Sequence, residues 1–540
     1  LGSVERIMDM ALGQQRTDLS KTQVQEFGSL FLAHYVEKFI DLVQIVDSVI
    51  PPKPKEKGPT LGEYFLYAAF NRMIEPRSKL GLPKWYKNLA VHQVRPVDVA
   101  ALTSQRYWAK WERVDAESIK EISRIFFSKI NEIEPIDSRY FLFDTTNYFH
   151  YMNSKTPSHL FARGKSKEGK HWLRLIGLAL LVSRDSQLPI FYREYEGNCH
   201  DSKLFNRLLE EIFASLDALG QENPKLTVVV DKGMNSEANM QSIDQRSNVD
   251  FITTYSLAFA EDLIRKDLDF FTPVDTPKNK ELAAKNREED QMVAFRTTGV
   301  YWGKERTVVV TYNPRTAAKQ RRNFEKKLQR LQDGLFEIRS KVRAGRKSWS
   351  TKHQVRQHYK ELCDSLYLPK DLYDLDFRTE GQRLQLYFRR NHYRLSKHID
   401  RFGKNIILTS HHDWSTDDIV KASLDRYQVE NAFRQSKAGE FGNFRPMWHW
   451  TDSKIRCHLF ACIVALTYLR LLTLWLNRAG VDCTPDSAMQ SMRHLASCMC
   501  WHSGKRKPTR LLEEPDPEQA AILAGLGYEA KNGVLHELRQ

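Results

Sequence analysis

The stretch YFLFD, residues 140–144, and its later counterpart LTVVVD, residues 226–231, decide how this chain folds. Each is a continuous apolar run closed by an acid, the pattern of a strand buried on both faces. Between them, LIGLALLVS (175–183) and LPIFYREYE (188–196) are two more such runs, joined by the polar turn RDSQ. LFNRLLEEIFASLDAL (204–219) then places its apolar residues at helical spacing, with Asp201-Ser202 before it as a cap. The order strand, strand, strand, helix, strand predicts a mixed α/β sheet that begins with a hairpin.

Outward from this core the pattern changes on both sides. Residues 1–60 read as an N-terminal helical segment, with Phe27, Leu30, Phe31 and Tyr35 near helical spacing, closed by the linker PPKPKEKGP (51–59). Residues 61–135 continue helical and could carry a DNA-binding helix pair. The first part of the core is expected over 136–255, an insertion over 256–404, the second part of the core over 405–480 and a C-terminal region over 481–540. Within the insertion, 292–312 and 384–399 each read as a strand pair. The helical stretch between them, 317–347, spaces Phe324, Leu328, Leu331, Leu335, Ile338 and Val342 alternately four and three apart. That is a short heptad seam, and with Gly334 inside it a helical hairpin packed on its neighbour is expected. Arg321, Arg322, Lys326, Lys327 and Arg330 lie on its other faces, the densest basic patch in the chain. They are candidate phosphate contacts, against the alternative of a merely solvated face.

The chain has 540 residues, 41% of them apolar, with 11 Trp and 28 Phe, so it folds around a large core. A net charge of +15 suggests an anionic partner, nucleic acid first, against the alternative of a surface kept soluble by charge. Seven cysteines with no regular framework suggest a reducing compartment. Cys498, Cys500 and His502 form a C-x-C-x-H cluster whose spacing is not a standard zinc pattern, and buried thiols are the expected reading. The apolar stretch 459–476 is interrupted by Arg470 and flanked by charge, which predicts a buried core helix rather than a membrane span. The expected setting is the cytoplasm. The first residue is Leu1, which suggests that native sequence precedes it.

NIILTS (405–410) restores a strand, and the chain then returns to helix through RYQVENAFRQSK, residues 426–437. On one helix Arg426, Glu430 and Lys437 fall within roughly 40° of one another, beside an apolar stripe of Val429 and Phe433. An exposed i,i+4 ion pair is the plain reading. Asp144 and Asp231 have plain readings too, as the close of a strand and the opening of a D-K-G turn. Together, the three acids could converge at one edge of the sheet. In a basic protein, acids inside a phosphate-binding surface repel the ligand unless metal ions lie between, and Mg²⁺ suits hard oxygen ligands.

These stretches resemble bacterial insertion-sequence transposases of the cut-and-paste group, which carry an Asp-Asp-Glu triad on a ribonuclease H-like fold. The resemblance runs from about residue 60 to 480. It rests on FLFDTTNYF around Asp144, YEGNCHDSKLF (195–205), VVVDKGMNS around Asp231, RYQVENAFRQSK, and FRPMWHWTDSKIRCHL (444–459). It implies that Asp144, Asp231 and Glu430 are the catalytic metal ligands, with Mg²⁺ as the ion and Mn²⁺ as a substitute. It also assigns Arg426 and Lys437 to DNA. The group's tyrosine, seven residues before the glutamate, is replaced here by Ser423, and Tyr427 lies on another helix face.

The expected fold is a ribonuclease H-like α/β core interrupted by a strand-plus-basic-helix insertion, after a helical N-terminal region. The expected function is a transposase that cleaves transposon ends and joins the 3′-hydroxyl to target DNA. Its partners would be double-stranded DNA, at transposon ends and target, and a second copy of the chain; no membrane is expected. The localisation implied is cytoplasmic, bacterial and nucleoid-associated. The rival readings are a ribonuclease H-like nuclease without strand transfer and a catalytically silent DNA-binding repressor derived from a transposase.

Overall fold

The computed structural model describes residues 19–135, 140–153, 155–166, 169–170, 172–199, 201–218, 226–381, 383–503 and 506–538. Residues 1–18 of the expected N-terminal helix, and the side chains of the cap expected at Asp201-Ser202, lie outside what it describes. The chain divides into two compact units. The first comprises Leu1–Val229, Ser242–Val249 and Asp425–Gln540, the second Val230–Gln241 and Asp250–Leu424.

The first unit opens on a strand, β1 (Leu19–Glu26), where a helix was expected. The expected helix begins only at Gly28, as α1 (Gly28–Ile40). Among the helices that follow are α2 (Leu61–Ile74), α3 (Ser104–Trp111) and α4 (Ala116–Ile133). Thr60 caps α2 through a reciprocal pair with Glu63, which fixes where the chain leaves the linker. The sheet then forms as its apolar runs dictate: β2 (Phe141–His150), β3 (Arg174–Ser183), β4 (Pro189–Glu196), the helix α5 (Asp201–Ala218), and β5 (Leu226–Val230). β2, β3 and β4 are antiparallel neighbours, with Asp144 opposite Leu180. β5 adds parallel to β2 on its other side, with Phe141 beside Val228 and Leu142 beside Val229. Three antiparallel strands, a helix and a strand parallel to the first make the mixed sheet expected from the sequence.

In the second unit, β6 (Val249–Tyr255, from Asp250 on), β7 (Val293–Tyr301), β8 (Lys304–Tyr312) and, further on, Lys404–Thr409 form antiparallel ladders. The basic stretch is the 30-residue helix α6 (Pro314–Arg343), and α7 (Lys352–Leu366) returns along it. All six seam residues of α6 are buried, as the heptad spacing predicted. A Cβ on Gly334 would meet Leu362 Cδ2 at 2.5 Å, so this glycine lets the two helices approach. The strand pair expected over 384–399 is corrected. β9 (Tyr373–Glu380) pairs with β10 (Arg383–Arg390), and His392–Ile399 is a helix, α8. Asn391 caps it by accepting from Arg394 N–H, a start signal that outweighs the local strand pattern. The remaining strand, Lys404–Thr409, is β11.

The helix expected from Asp413 onward is two, α9 (Thr416–Asp425) and α10 (Tyr427–Ala438), with the break at Arg426. α10 belongs to the first unit, where it packs on β2 and β3. The long apolar helix α11 (Asp452–Arg478) also lies in the first unit, against α1, α2 and α4. Of its most apolar 18-residue window, 83% is buried, which accounts for a helix apolar on every side. β12 (Ala496–His502) runs antiparallel to β1 and to β13 (Thr509–Leu512). Cys498, Cys500 and His502 are alternate residues of β12, all buried, with the Cys498 and Cys500 sulfurs 3.6 Å apart beside Leu511. The C-x-C-x-H spacing is the two-residue period of a strand's inner face.

Candidate active site

Side chains alternate along β2, so Tyr140 just before it, Asp144 and Tyr148 point to the same side of the sheet. Tyr148 reaches α10, the helix that carries Glu430, and Tyr140 reaches Asp425, the last residue of α9 just before it. The Tyr140 hydroxyl donates to Asp425 Oδ2 at 2.6 Å, and Arg184 Nε donates to the same oxygen at 3.1 Å. The Tyr148 hydroxyl lies 2.6 Å from Ser436 Oγ, which itself donates to the Phe433 carbonyl at 2.8 Å. Burial, and then the bond to Asp425, push the Tyr140 hydroxyl pKa up, so it remains a donor.

The order of these two contacts fixes a direction: α10 runs alongside β2 with the same polarity. Eight strand residues, about 26 Å, are matched to eleven helical ones, about 16 Å, and the long tyrosine side chains absorb the difference. Asp144 is midway between Tyr140 and Tyr148. Glu430 is five residues from Asp425 and six from Ser436. The two acids therefore stand at matching heights along one strand–helix pair, while on the helix Glu430 turns about 120–140° from the face that Asp425 and Ser436 present to the tyrosines.

Asp144 is half-buried, and its Oδ1 accepts from the Thr145 N–H at 2.8 Å. Glu430 is exposed and pairs with Arg426, Nη2 to Oε1 at 3.0 Å, so the plain i,i+4 pair does form. Lys437 Nζ stands 5.5 Å from the centre of the Tyr148 ring. Asp231 is the first residue past β5 and leads a single turn, Lys232–Met234, in which Met234 N–H donates to the Asp231 carbonyl at 2.9 Å. In chain position Asp231 follows Val229 by two residues, as Asp144 follows its neighbour Leu142. Among the described residues, no three His, Cys, Asp or Glu side chains gather as a ready metal-holding group.

Of the basic candidates on α6, Arg321, Arg322, Lys326 and Arg330 are exposed, and Lys327 is half-buried with Nζ 5.5 Å from the Tyr367 ring. Arg321 also faces Glu325 at 3.8 Å. Ser423 lies on α9 and Tyr427 opens α10, its side chain outward. Sequence reading missed Tyr140, Tyr148, Asp425 and Ser436. A usable signal was present: two tyrosines placed symmetrically about Asp144 on the same strand face.

The transposase DDE domain family matches residues 152–468, more than half of the chain. This chain belongs to the DDE transposase family. The mixed sheet around β2 is accordingly the family's ribonuclease H-like core, and the protein is a DNA transposase. The match takes in Asp231, Arg426, Glu430 and Lys437, and begins eight residues after Asp144. Two solved transposase structures are similar at low identity. One is the piggyBac transposase synaptic complex with hairpin DNA, 7% identical, covering 86% of this chain and 79% of that one, with a TM-score of 0.35. The other is the Mos1 transposase paired-end complex with left transposon end, 10% identical, covering 40% and 64%, with a TM-score of 0.16. No curated protein matches this DDE transposase.

Proposed function

We propose that this transposase cleaves the ends of a bacterial insertion sequence and joins the freed 3′-hydroxyl to target DNA at one site built on Asp144, Asp231 and Glu430. The observation that carries the reading is the pair of tyrosine contacts that sets α10 along β2, with Glu430 and Asp144 at matching heights. The donor set suits the implied ion: three carboxylates offer only hard oxygens, and Asp144 and Glu430 are both open to solvent. Mg²⁺, or Mn²⁺ in its place, is held by these three residues in this reading. Bound there, divalent ions activate the attacking oxygen and neutralise the leaving one.

The remaining roles fall to the chain itself. Arg426 neutralises Glu430 in this structure and is placed to exchange that partner for a DNA phosphate once the carboxylate is otherwise engaged. Lys437, beside the Tyr148 contact, supplies a second cation on the same helix. The exposed arginines and lysines of α6 hold duplex DNA through its backbone, independent of sequence. Two transposon ends require two sites, so the active form is a homodimer on DNA, acting in the bacterial cytoplasm at the nucleoid.

The test is a labelled transposon end incubated with the purified chain and target plasmid, in Mg²⁺, Mn²⁺ or EDTA. Cleaved ends covalently joined to the plasmid, only with metal, are expected. Cutting without joining would favour the nuclease reading, and binding without cutting under either metal the repressor.

A further inference from the structure

In the first unit, a pocket of about 320 Å³ opens between α2, the start of α3 and the irregular segment that follows α10. Its floor is basic and buried. Lys79 is only 5% exposed, its Nζ has no hydrogen-bond partner among the described residues, and burial pushes its pKa well down. The Nζ rests instead on two rings, 4.9 Å from Trp111 and 5.4 Å from Tyr107. Arg72 is buried beside it and, among the described residues, donates to the backbone carbonyls of Asn443, Arg445 and Arg77. The buried His449 completes the floor, and the charged groups acting most on it, Lys79, Arg72, His150 and Lys454, are all basic. No carboxylate pairs with Lys79 or Arg72 among the described residues. A buried amine without a counter-ion gives up its proton readily, so the standing charge beside this space is the Arg72 guanidinium, whose field reaches the adjoining pocket.

The mouth is aromatic. Trp108 is 44% exposed and Trp448 56%, and Trp450 is 61% exposed two residues further on. Burial alternates over Met447, Trp448, His449 and Trp450, so the segment is extended and the two outward indoles are about 6.6 Å apart along the chain. Large exposed rings beside an uncompensated positive field are the combination that captures single-stranded nucleic acid, by stacking and backbone attraction.

We propose that this pocket binds an unpaired stretch of DNA strand, with one base stacked at Trp108 and Trp448, its phosphate attracted by the field of the buried Arg72, and a neighbouring base against Trp450. The inference rests on the transposase reading for the class of ligand. Trp450 favours a strand over a free mononucleotide, because only a strand brings a second base to the second ring.

The test measures binding of the full chain to a short oligothymidylate, to dTMP and to a blunt duplex, without divalent metal. Trp108→Ala and Trp448→Ala should each weaken oligothymidylate binding by about 5- to 150-fold, with duplex binding unchanged. Lys79→Met should stay folded, because it replaces a buried amine that has no hydrogen-bond partner among the described residues with an apolar chain of similar length, and should leave oligothymidylate binding in place. The two surface tryptophan variants decide the matter even if Lys79→Met unfolds. Unchanged oligothymidylate binding in both overturns the proposal, as does dTMP binding as tightly as the strand. A chain that cuts no duplex yet binds oligothymidylate through these tryptophans would refute the catalytic reading alone. One that cuts and joins without tryptophan-dependent binding would refute this site alone.

Discussion

Removing the two tyrosine hydroxyls that hold α10 along β2 should damage catalysis far more than stability. Tyr140→Phe deletes a bond from a buried hydroxyl to a carboxylate, a class that contributes about 1.5–3 kcal/mol. Arg184 stays on the same Asp425 oxygen, so no charge is orphaned and the low end, about 1.5, applies. Tyr148→Phe deletes a neutral bond of about 1 kcal/mol, and Ser436 keeps its bond to the Phe433 carbonyl. The two sites stand about 26 Å apart along the strand, so their costs should add to about 2.5 kcal/mol, within the margin of a stable domain. Misplacing Glu430 by about 1 Å, however, should slow cleavage about 100-fold. The assay pairs urea denaturation with single-turnover cleavage of a labelled end, using Ile338→Val on α6, at about 0.5–1.5 kcal/mol, as a destabilised control. A double variant that loses the stability yet cleaves at the wild-type rate would refute the positioning argument.

The other predictions test charge, packing and titration. Replacing Arg321, Arg322, Lys326, Lys327 and Arg330 with Gln should weaken duplex binding across sequences, read by fluorescence anisotropy at several salt concentrations. The salt slope should flatten by about one unit for each DNA phosphate no longer neutralised. Leu331→Ala, at a fully buried seam position of α6, should cost the second unit about 2–5 kcal/mol in chemical denaturation. Glu37 is buried and accepts from the Tyr468 hydroxyl; burial, the largest cause, pushes its pKa up to about 7. Its folded form binds the proton more tightly than the unfolded chain, so stability should fall as pH rises from about 4.5 to 7, by on the order of 3 kcal/mol, then level off. Glu37→Gln should remove that slope in denaturation curves taken across this range.

The legible parts of the fold were those with a local period. YFLFD and LTVVVD advertised buried strands, and the four-and-three spacing from Phe324 to Val342 identified the inner face of α6. β1 was not legible because LSKTQVQE has no apolar run; it is a strand through its ladder to β12, some 470 residues later. The same ladder buries Cys498, Cys500 and His502, as expected for a C-x-C-x-H spacing that is not a standard zinc pattern. α8 follows directly on the strand pattern of β10, and its short sequence HYRLSKHI is set off from that strand by the Asn391 cap. At the candidate site, sequence picked out the acids and the cations on α10. It could not supply the partners Asp425 and Ser436, because a tyrosine's reach to another element depends on packing, not on spacing.

The most direct measurement is the single-turnover cleavage rate of Glu430→Gln on a labelled transposon end in Mg²⁺, with end binding followed in parallel. The change keeps the volume and helix propensity of the side chain and removes its charge. If Glu430 holds the ion with Asp144 and Asp231, cleavage and joining both disappear while the ends are still bound. If Glu430→Gln cuts as fast as the wild type, the glutamate is only the exposed half of its ion pair with Arg426, and the three-carboxylate site is wrong.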